Sequence, residues 1–492
     1  MKRPPSGIAP VIKVRPDAPT SLFRQVYEGY HKAILDGNLR GGQRVLSTRA
    51  LAQELGISRM PVLNAYAQLL AEGYFESRVG SGTIISSSLP ERIAKQPRTI
   101  SRPKRARQGQ KRTSKRCWNL PSAQDFFRSR GFGPFAVSQI GFDNFPQRLW
   151  NRLVTRQSRN TTVRSFDYGD PMGLLELRER IAEHLHISRG VKCDAQQIII
   201  VSGSQQALDL TTRVLLDPGD YVWMEHPGYT FARSVFTHNG CCVVPVKVDA
   251  EGLNVEAGIK KCPKARAVLV TPSHQYPLGV TMSASRRLQL LDWAESNDCW
   301  IIEDDYDGEY RYEGMPVTSL QGLDKTSSVV YIGTFSKVLF PSLRLGYLVV
   351  PEDLVERFLA ARFAFDICPP TFSQAVLADF IGEGHFVRHI RRMRAIYAER
   401  RDVLLENIRE HFGTAVEIAG YETGMHLSIL LREISDHEIS ARAARQNLWL
   451  SPLSPSYMKH APRQGFILGF GSTSVQQMPA AIRKFRELVR SV

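Results

Sequence analysis

From about residue 118 to the end of the chain, short apolar runs alternate with helical patterns. This alternation is the strongest constraint on the fold. The runs are 198–201, 221–224, 242–246, 267–270, 300–302 and 329–332. Strands alternating with helices join as parallel neighbours, so this region reads as an α/β domain with helices covering a largely parallel sheet. Ligands of such sheets bind beyond the carboxyl ends of the strands, which directs attention to the residues that follow each run.

Four of those strand ends carry chemistry. After 198–201, Ser204 and Gln205 open a helix whose free N–H groups make a phosphate site, although serine and glutamine also serve as plain caps. After 221–224, the turn Glu225-His226-Pro227-Gly228-Tyr229 offers an aromatic ring, for stacking on a ligand or for ordinary packing. After 300–302 comes Glu303-Asp304-Asp305-Tyr306-Asp307. These acids suit a solvated turn, a metal site, or one carboxylate that keeps a pyridinium nitrogen charged. After 329–332, Thr334, Ser336 and Lys337 stand together, with Arg344 seven residues beyond the lysine. A lysine among hydroxyls and an arginine suits a group bearing both an aldehyde and a phosphate. Taken in chain order, these strand ends compose one pocket, and its expected tenant is pyridoxal phosphate.

The net charge of +16 is unevenly placed. Residues 89–116 hold 11 Lys/Arg against Glu91 alone, leaving +6 for the rest of the chain. With almost no large apolar residue, this stretch cannot build a core and reads as a flexible linker. It serves either as a tether or as a tether that also touches phosphate backbone. The seven cysteines lack metal-ligand spacing, which fits idle thiols in a reducing cytoplasm. With no run of 18 apolar residues and no secretory h-region, neither a membrane span nor export is expected, and no metal is implied.

Residues 19–88 read as a separate helical unit with a β-wing. Leu22, Val26, Tyr30, Ala33 and Ile34 share one face of a helix over about 21–36. Thr48 is placed to cap a short helix carrying Leu51 and Ala52. Ser58 is placed to cap a second, with Val62, Ala65, Leu69 and Leu70 inward. Two helices joined by a small glycine-containing turn match helix-turn-helix geometry, which aims Ser58, Arg59, Met60 and Asn64 at base edges. Residues 74–77 and 83–85, joined through 79–82, form the wing.

The segments LFRQVYEGYHKAILDG, GGQRVLSTRALAQELGISRMPVLNAYAQL and EGYFESRVGSGTI resemble the winged helix-turn-helix of the GntR superfamily. That resemblance implies that Arg49, Ser58, Arg59 and the Gly82 wing contact double-stranded operator DNA. Two positions depart from the pattern: Leu46 replaces a usual proline, and Pro61 replaces a small polar residue. Downstream, SFDYGDPMGLLELRERIAEHL, IVSGSQQALDL, EHPGY, TPSHQYPLG, IIEDDYDGEYRY and GTFSKVLFPSLRLGY resemble the fold-type I, aminotransferase-like domain. The whole chain is similar to MocR-type regulators, which join the two modules. The implied organisation is a head at 19–88, a basic linker at 89–117 and a pyridoxal phosphate-binding α/β domain at 118–492.

Carried over by position, the resemblance makes Lys337 the Schiff-base lysine, Asp304 the partner of the pyridinium nitrogen and Tyr306 the partner of the phenolic oxygen. Tyr229 stacks on the ring. Ser204, Gln205, Thr334 and Arg344 hold the phosphate, beside the Ser336 hydroxyl already read from the residues, with Tyr168 reaching it from a second subunit. It also implies a cytoplasmic, domain-swapped homodimer that responds to pyridoxal phosphate or to a small amine or amino-acid effector. The carboxylate-clamping arginine of aminotransferases has no counterpart in Phe466-Ile467-Leu468-Gly469-Phe470; Arg463 and Lys459 lie nearby but outside that run. Phe231 and Ser454-Pro455-Ser456 stand where GABA-responsive members hold their effector, so that effector is not implied. A regulator is therefore expected; the alternative is a working aminotransferase with an appended DNA-binding head.

Overall fold

The computed structural model describes residues 7–78, 82–87, 131–312, 317–432, 434–458 and 462–491. The basic segment 89–117, residues 79–81 of the wing, and Lys459 lie outside them. The chain divides into two compact units, Met1–Arg112 and Thr113–Val492.

In the first unit, α1 (Leu22–Leu35), α2 (Thr48–Glu54) and α3 (Arg59–Ala71) precede an antiparallel hairpin of β1 (Phe75–Arg78) and β2 (Gly82–Ile85), with Phe75 opposite Ile85. Val26, Tyr30, Leu51, Val62, Tyr66, Leu69 and Ile85 form its core. The Tyr30 and Tyr66 hydroxyls meet at 2.8 Å, and Tyr66 donates to the Leu46 carbonyl at 2.9 Å. Two expectations need correction. Ser47, whose backbone is extended, caps α2 by accepting from the Ala50 amide at 3.2 Å, which makes Thr48 the first helical residue. In α3 the inward stripe runs Val62, Ala65, Tyr66, Leu69, as a 3.6-residue period requires; Leu70 has rotated outward and is 36% exposed.

The second unit contains an eight-stranded sheet of β3 (Ile198–Val201), β4 (Tyr221–His226), β5 (Cys242–Asp249), β6 (Gly252–Leu253), β7 (Ala267–Val270), β8 (Trp300–Asp305), β9 (Val329–Thr334) and β10 (Gly346–Val349). Its order is β3-β10-β9-β8-β7-β4-β5-β6. The five strands from β9 to β5 run parallel. β10 lies antiparallel to both β3 and β9, and β6 antiparallel to β5. β3, β7 and β9 are buried along their whole length, which is why they read as unbroken apolar runs. A separate antiparallel sheet is built from β11 (Glu417–Ala419), β12 (His426–Leu431), β13 (Ser451–Pro452) and β14 (Gln464–Gly469), in the order β11-β12-β14-β13. The arginine-free run Phe466–Gly469 belongs to β14, and exposed Arg463 before it pairs with Glu417.

Candidate functional site

The head presents its polar residues on the outside of the helical pair. Ser58 occupies the N-cap of α3, but its side chain makes no capping hydrogen bond. Arg59 is exposed and donates from Nε to Thr48 Oγ1 at 3.2 Å, which ties the start of α3 to the start of α2. Arg49, Met60 and Asn64 are exposed as well. Gly82 has φ +80°, and a Cβ there would lie 3.2 Å from the Arg44 guanidinium. The wing therefore needs glycine at that position, and it carries a cation, Arg44, that the sequence reading passed over.

In the large unit, the carboxyl ends of β3, β4, β7, β8 and β9 supply a second set of residues. Asp304 is the fifth residue of β8 and pairs in register with Ile332 of β9. β8 is longer than expected, so Asp304 lies within the strand rather than beyond it. The carboxyl is buried and its Oδ1 has no hydrogen-bond partner among the described residues. Burial pushes it up to about 7; Asp305 adds to the shift and Lys337 opposes it. The neighbouring acids have other partners. Glu303 accepts from the Leu320 and Gln321 amides at 2.9 Å each. Asp305 receives Arg189 at 2.8 Å and the Tyr331 hydroxyl at 2.7 Å. Asp307 meets His274 at 3.0 Å.

The phosphate-type residues gather at a helix start. Gly203, with φ +94°, caps the helix Ser204–Leu215, and a Cβ on it would come within 3.1 Å of the Arg344 guanidinium. Arg344 holds a left-handed conformation and donates to the Ser202 carbonyl. Thr334 is buried and its Oγ1 accepts from the Ser336 amide at 3.2 Å. Gln205 Nε2 is buried without a hydrogen-bond partner among the described residues. First-turn N–H groups, a guanidinium and hydroxyls are the kinds of donor that can hold a dianion. Tyr168, in contrast, is 77% exposed.

The aromatic wall has more members than the sequence suggested. The Tyr229 ring stands edge-on to Tyr276 at 5.6 Å, and Tyr276 in turn faces Tyr306 at 6.5 Å and His426 at 5.5 Å. The Tyr306 hydroxyl lies 3.1 Å from His274 Nδ1. His274, Asp307 and His426 are all buried, with possible ligand atoms within 4.8 Å of one another. Burial, then His274 and Lys337, hold His426 well below the usual histidine range. Glu225, at the end of β4, accepts from Thr271 Oγ1 at 2.7 Å and is raised by burial to about 7. The strand-end rule points to Glu225 and to the His274-Gln275-Tyr276 segment after β7. His426 carried no such signal, because it opens a strand of the other sheet.

A family model for aminotransferase class I and II matches residues 144–467, and one for bacterial regulatory proteins of the gntR family matches residues 22–85. The probable rhizopine catabolism regulatory protein MocR of Rhizobium meliloti is 40% identical over 474 residues, which span 96% of this chain and 94% of the relative. The chain belongs to the MocR-type regulators. The pyridoxine biosynthesis transcriptional regulator PdxR of Corynebacterium glutamicum is 30% identical over 470 residues, 94% of each protein. Among solved structures, the kynurenine aminotransferase of Pyrococcus horikoshii superposes with a TM-score of 0.71 at 28% identity, covering 77% of this chain and 97% of that one. This MocR-type chain is thus a transcriptional regulator with a gntR-type DNA-binding head and an aminotransferase-like domain of fold type I. No helix among the described residues is long and apolar enough to cross a membrane.

Proposed function

We propose that this regulator binds operator DNA through its head and pyridoxal phosphate through Lys337, and that the cofactor or an amine effector sets its affinity for DNA. The observation that carries the reading is Asp304, a buried carboxyl whose Oδ1 has no hydrogen-bond partner among the described residues, in the electrostatic field of Lys337. A desolvated carboxyl of this kind calls for a cationic N–H, which a pyridinium ring supplies. Gln205 Nε2 is a second orphan, at the cradle formed by Ser204, Thr334, Ser336 and Arg344, and it fits a phosphate oxygen. Tyr229 would stack on the ring, Tyr306 would bond its phenolic oxygen, and Tyr168 would complete the phosphate site from a second copy. When bound, pyridoxal phosphate supplies an aldehyde that Lys337 holds as a Schiff base and that a primary amine can take over. In this reading the protein works in the cytoplasm as a domain-swapped homodimer.

The test combines colour and DNA binding. Wild-type protein incubated with pyridoxal phosphate should absorb in the visible range, and borohydride should fix a phosphopyridoxyl group on Lys337, located by peptide mass. Lys337→Ala should do neither. A colourless wild type with no adduct would sink the cofactor reading and leave the DNA reading to be judged by footprinting. A working aminotransferase would instead show repeated turnover with an amino donor and a keto acid. The absence of an arginine from β14 argues against it.

A further inference from the structure

Two helices of the large unit, both packed on the helix Phe372–Gly382, are charged on one plan. Residues 144–159 and 384–398 contain eight arginines and no Lys, Asp or Glu. The first segment includes the helix Gln147–Arg159, and the second forms the opening half of the helix His385–Phe412. Contacts at both ends join the two segments through their flanks. Arg156 pairs with Asp379 and Glu383 at 2.6 Å each. At the other end, Arg392 donates to Asn144 Oδ1 at 3.5 Å, and Phe145 packs against His389 at 5.9 Å.

Between these contacts Arg148, Arg152, Arg159, Arg388, Arg391 and Arg392 are all exposed. None of the six has a carboxylate partner among the described residues. Arg388 bonds the Glu383 carbonyl and the His385 ring instead. Arginines spaced by four along a helix repel one another, and among the described residues no carboxylate offsets that repulsion at these six. A cavity of about 350 Å3 opens beside Arg152, Arg156 and Arg159.

We infer that this arginine strip is a second DNA-contacting surface, which grips the phosphate backbone independently of the head. The charge carriers are all guanidiniums, whose fork matches phosphate oxygens in bidentate fashion as an ammonium does not. Arg148 to Arg159 spans about 17 Å at 1.5 Å per residue. One strand of a duplex presents roughly five phosphates over that length. The head's ligand is DNA, so the polyanion is already part of the complex when the regulator works. The contact would add affinity and salt dependence without reading sequence.

The experiment uses the full chain and a random-sequence 40-base-pair duplex, titrated from 50 to 200 mM KCl. The test variant replaces Arg148, Arg152, Arg391 and Arg392 by Gln. The control removes four exposed lysines elsewhere (Lys192, Lys247, Lys260 and Lys325) and so loses the same charge. The strip variant should flatten the slope of log K against log salt by about 3 and weaken binding at 150 mM on the order of tenfold. The control should change far less. Equal effects in both variants overturn the proposal. Replacing the same four arginines by Lys should retain most of the slope, and loss of the slope there would also overturn it by showing that the arginines act through the fold. A changed oligomeric state with DNA affinity intact would assign the strip to contact between copies and reject the DNA role.

Discussion

Burial brings the Asp304 carboxyl into titration near neutrality, so one side chain gives this chain a pH dependence. In the unfolded chain an aspartate loses its proton at about 4; in the folded, cofactor-free pocket it does so at about 7. Between those values the folded state binds the proton that the unfolded state has released. The group's contribution to stability is therefore full below pH ~4 and falls away as pH rises to about 7. Asp304→Asn removes that dependence. In a series of melting temperatures on cofactor-free protein, the variant should gain on wild type from pH 4 to 7 and hold a constant lead above that. Glu303 and Glu309 are raised in the same way and are present in both proteins, while Glu225 is raised too and acts on Asp304, so the gap between the two proteins reports that pair. A pH-independent gap would mean that Asp304 is not desolvated as its surroundings imply.

At the scale of elements, α3 has an inner face that holds the head together and an exposed outer face that the proposed function sets against DNA, and each makes a prediction. Inside, the Tyr66 hydroxyl joins the α3 stripe to the Leu46 carbonyl and to Tyr30. Tyr66→Phe leaves that buried carbonyl without its donor, at a cost of about 1–3 kcal/mol, readable as a lower urea midpoint for the head's unfolding. An unmoved midpoint would show that the carbonyl finds another donor. Outside, Arg59→Ala should weaken specific operator binding by about 1–3 kcal/mol and relax base choice at one position. Equal weakening on all sequences would make Arg59 a phosphate contact.

The same scale decides what a reader of the sequence can see. β3, β7 and β9 were legible because burial on both faces leaves an unbroken apolar signature; Gln205 and Lys337 stand out as candidates because they follow β3 and β9, and Asp304 because it lies near the end of β8. β10 was not, since its four residues begin with glycine and it enters the sheet antiparallel to both neighbours. The β11–β14 sheet was also missed. Its strands are two to six residues long and pair across long separations, as in Ser428 with Ile467. His426 enters the site through that second sheet, so no local pattern could place it beside His274.

For the whole molecule, regulation reduces to a coupling between two binding equilibria. If an amine or pyridoxal phosphate alters DNA affinity by some factor, DNA must alter the affinity for that ligand by the same factor, because the cycle closes. The ligand can do this only by binding two conformations unequally. For a regulator of this type the factor should fall in the range of roughly 5–150-fold. Titrating cofactor absorbance with and without saturating operator DNA, and DNA binding with and without cofactor, measures the factor twice on the same protein. The two values should agree in wild type and both should fall to one in Lys337→Ala. If both are one in wild type while borohydride still marks Lys337, the pocket and the head function independently, and the cofactor has no part in controlling transcription.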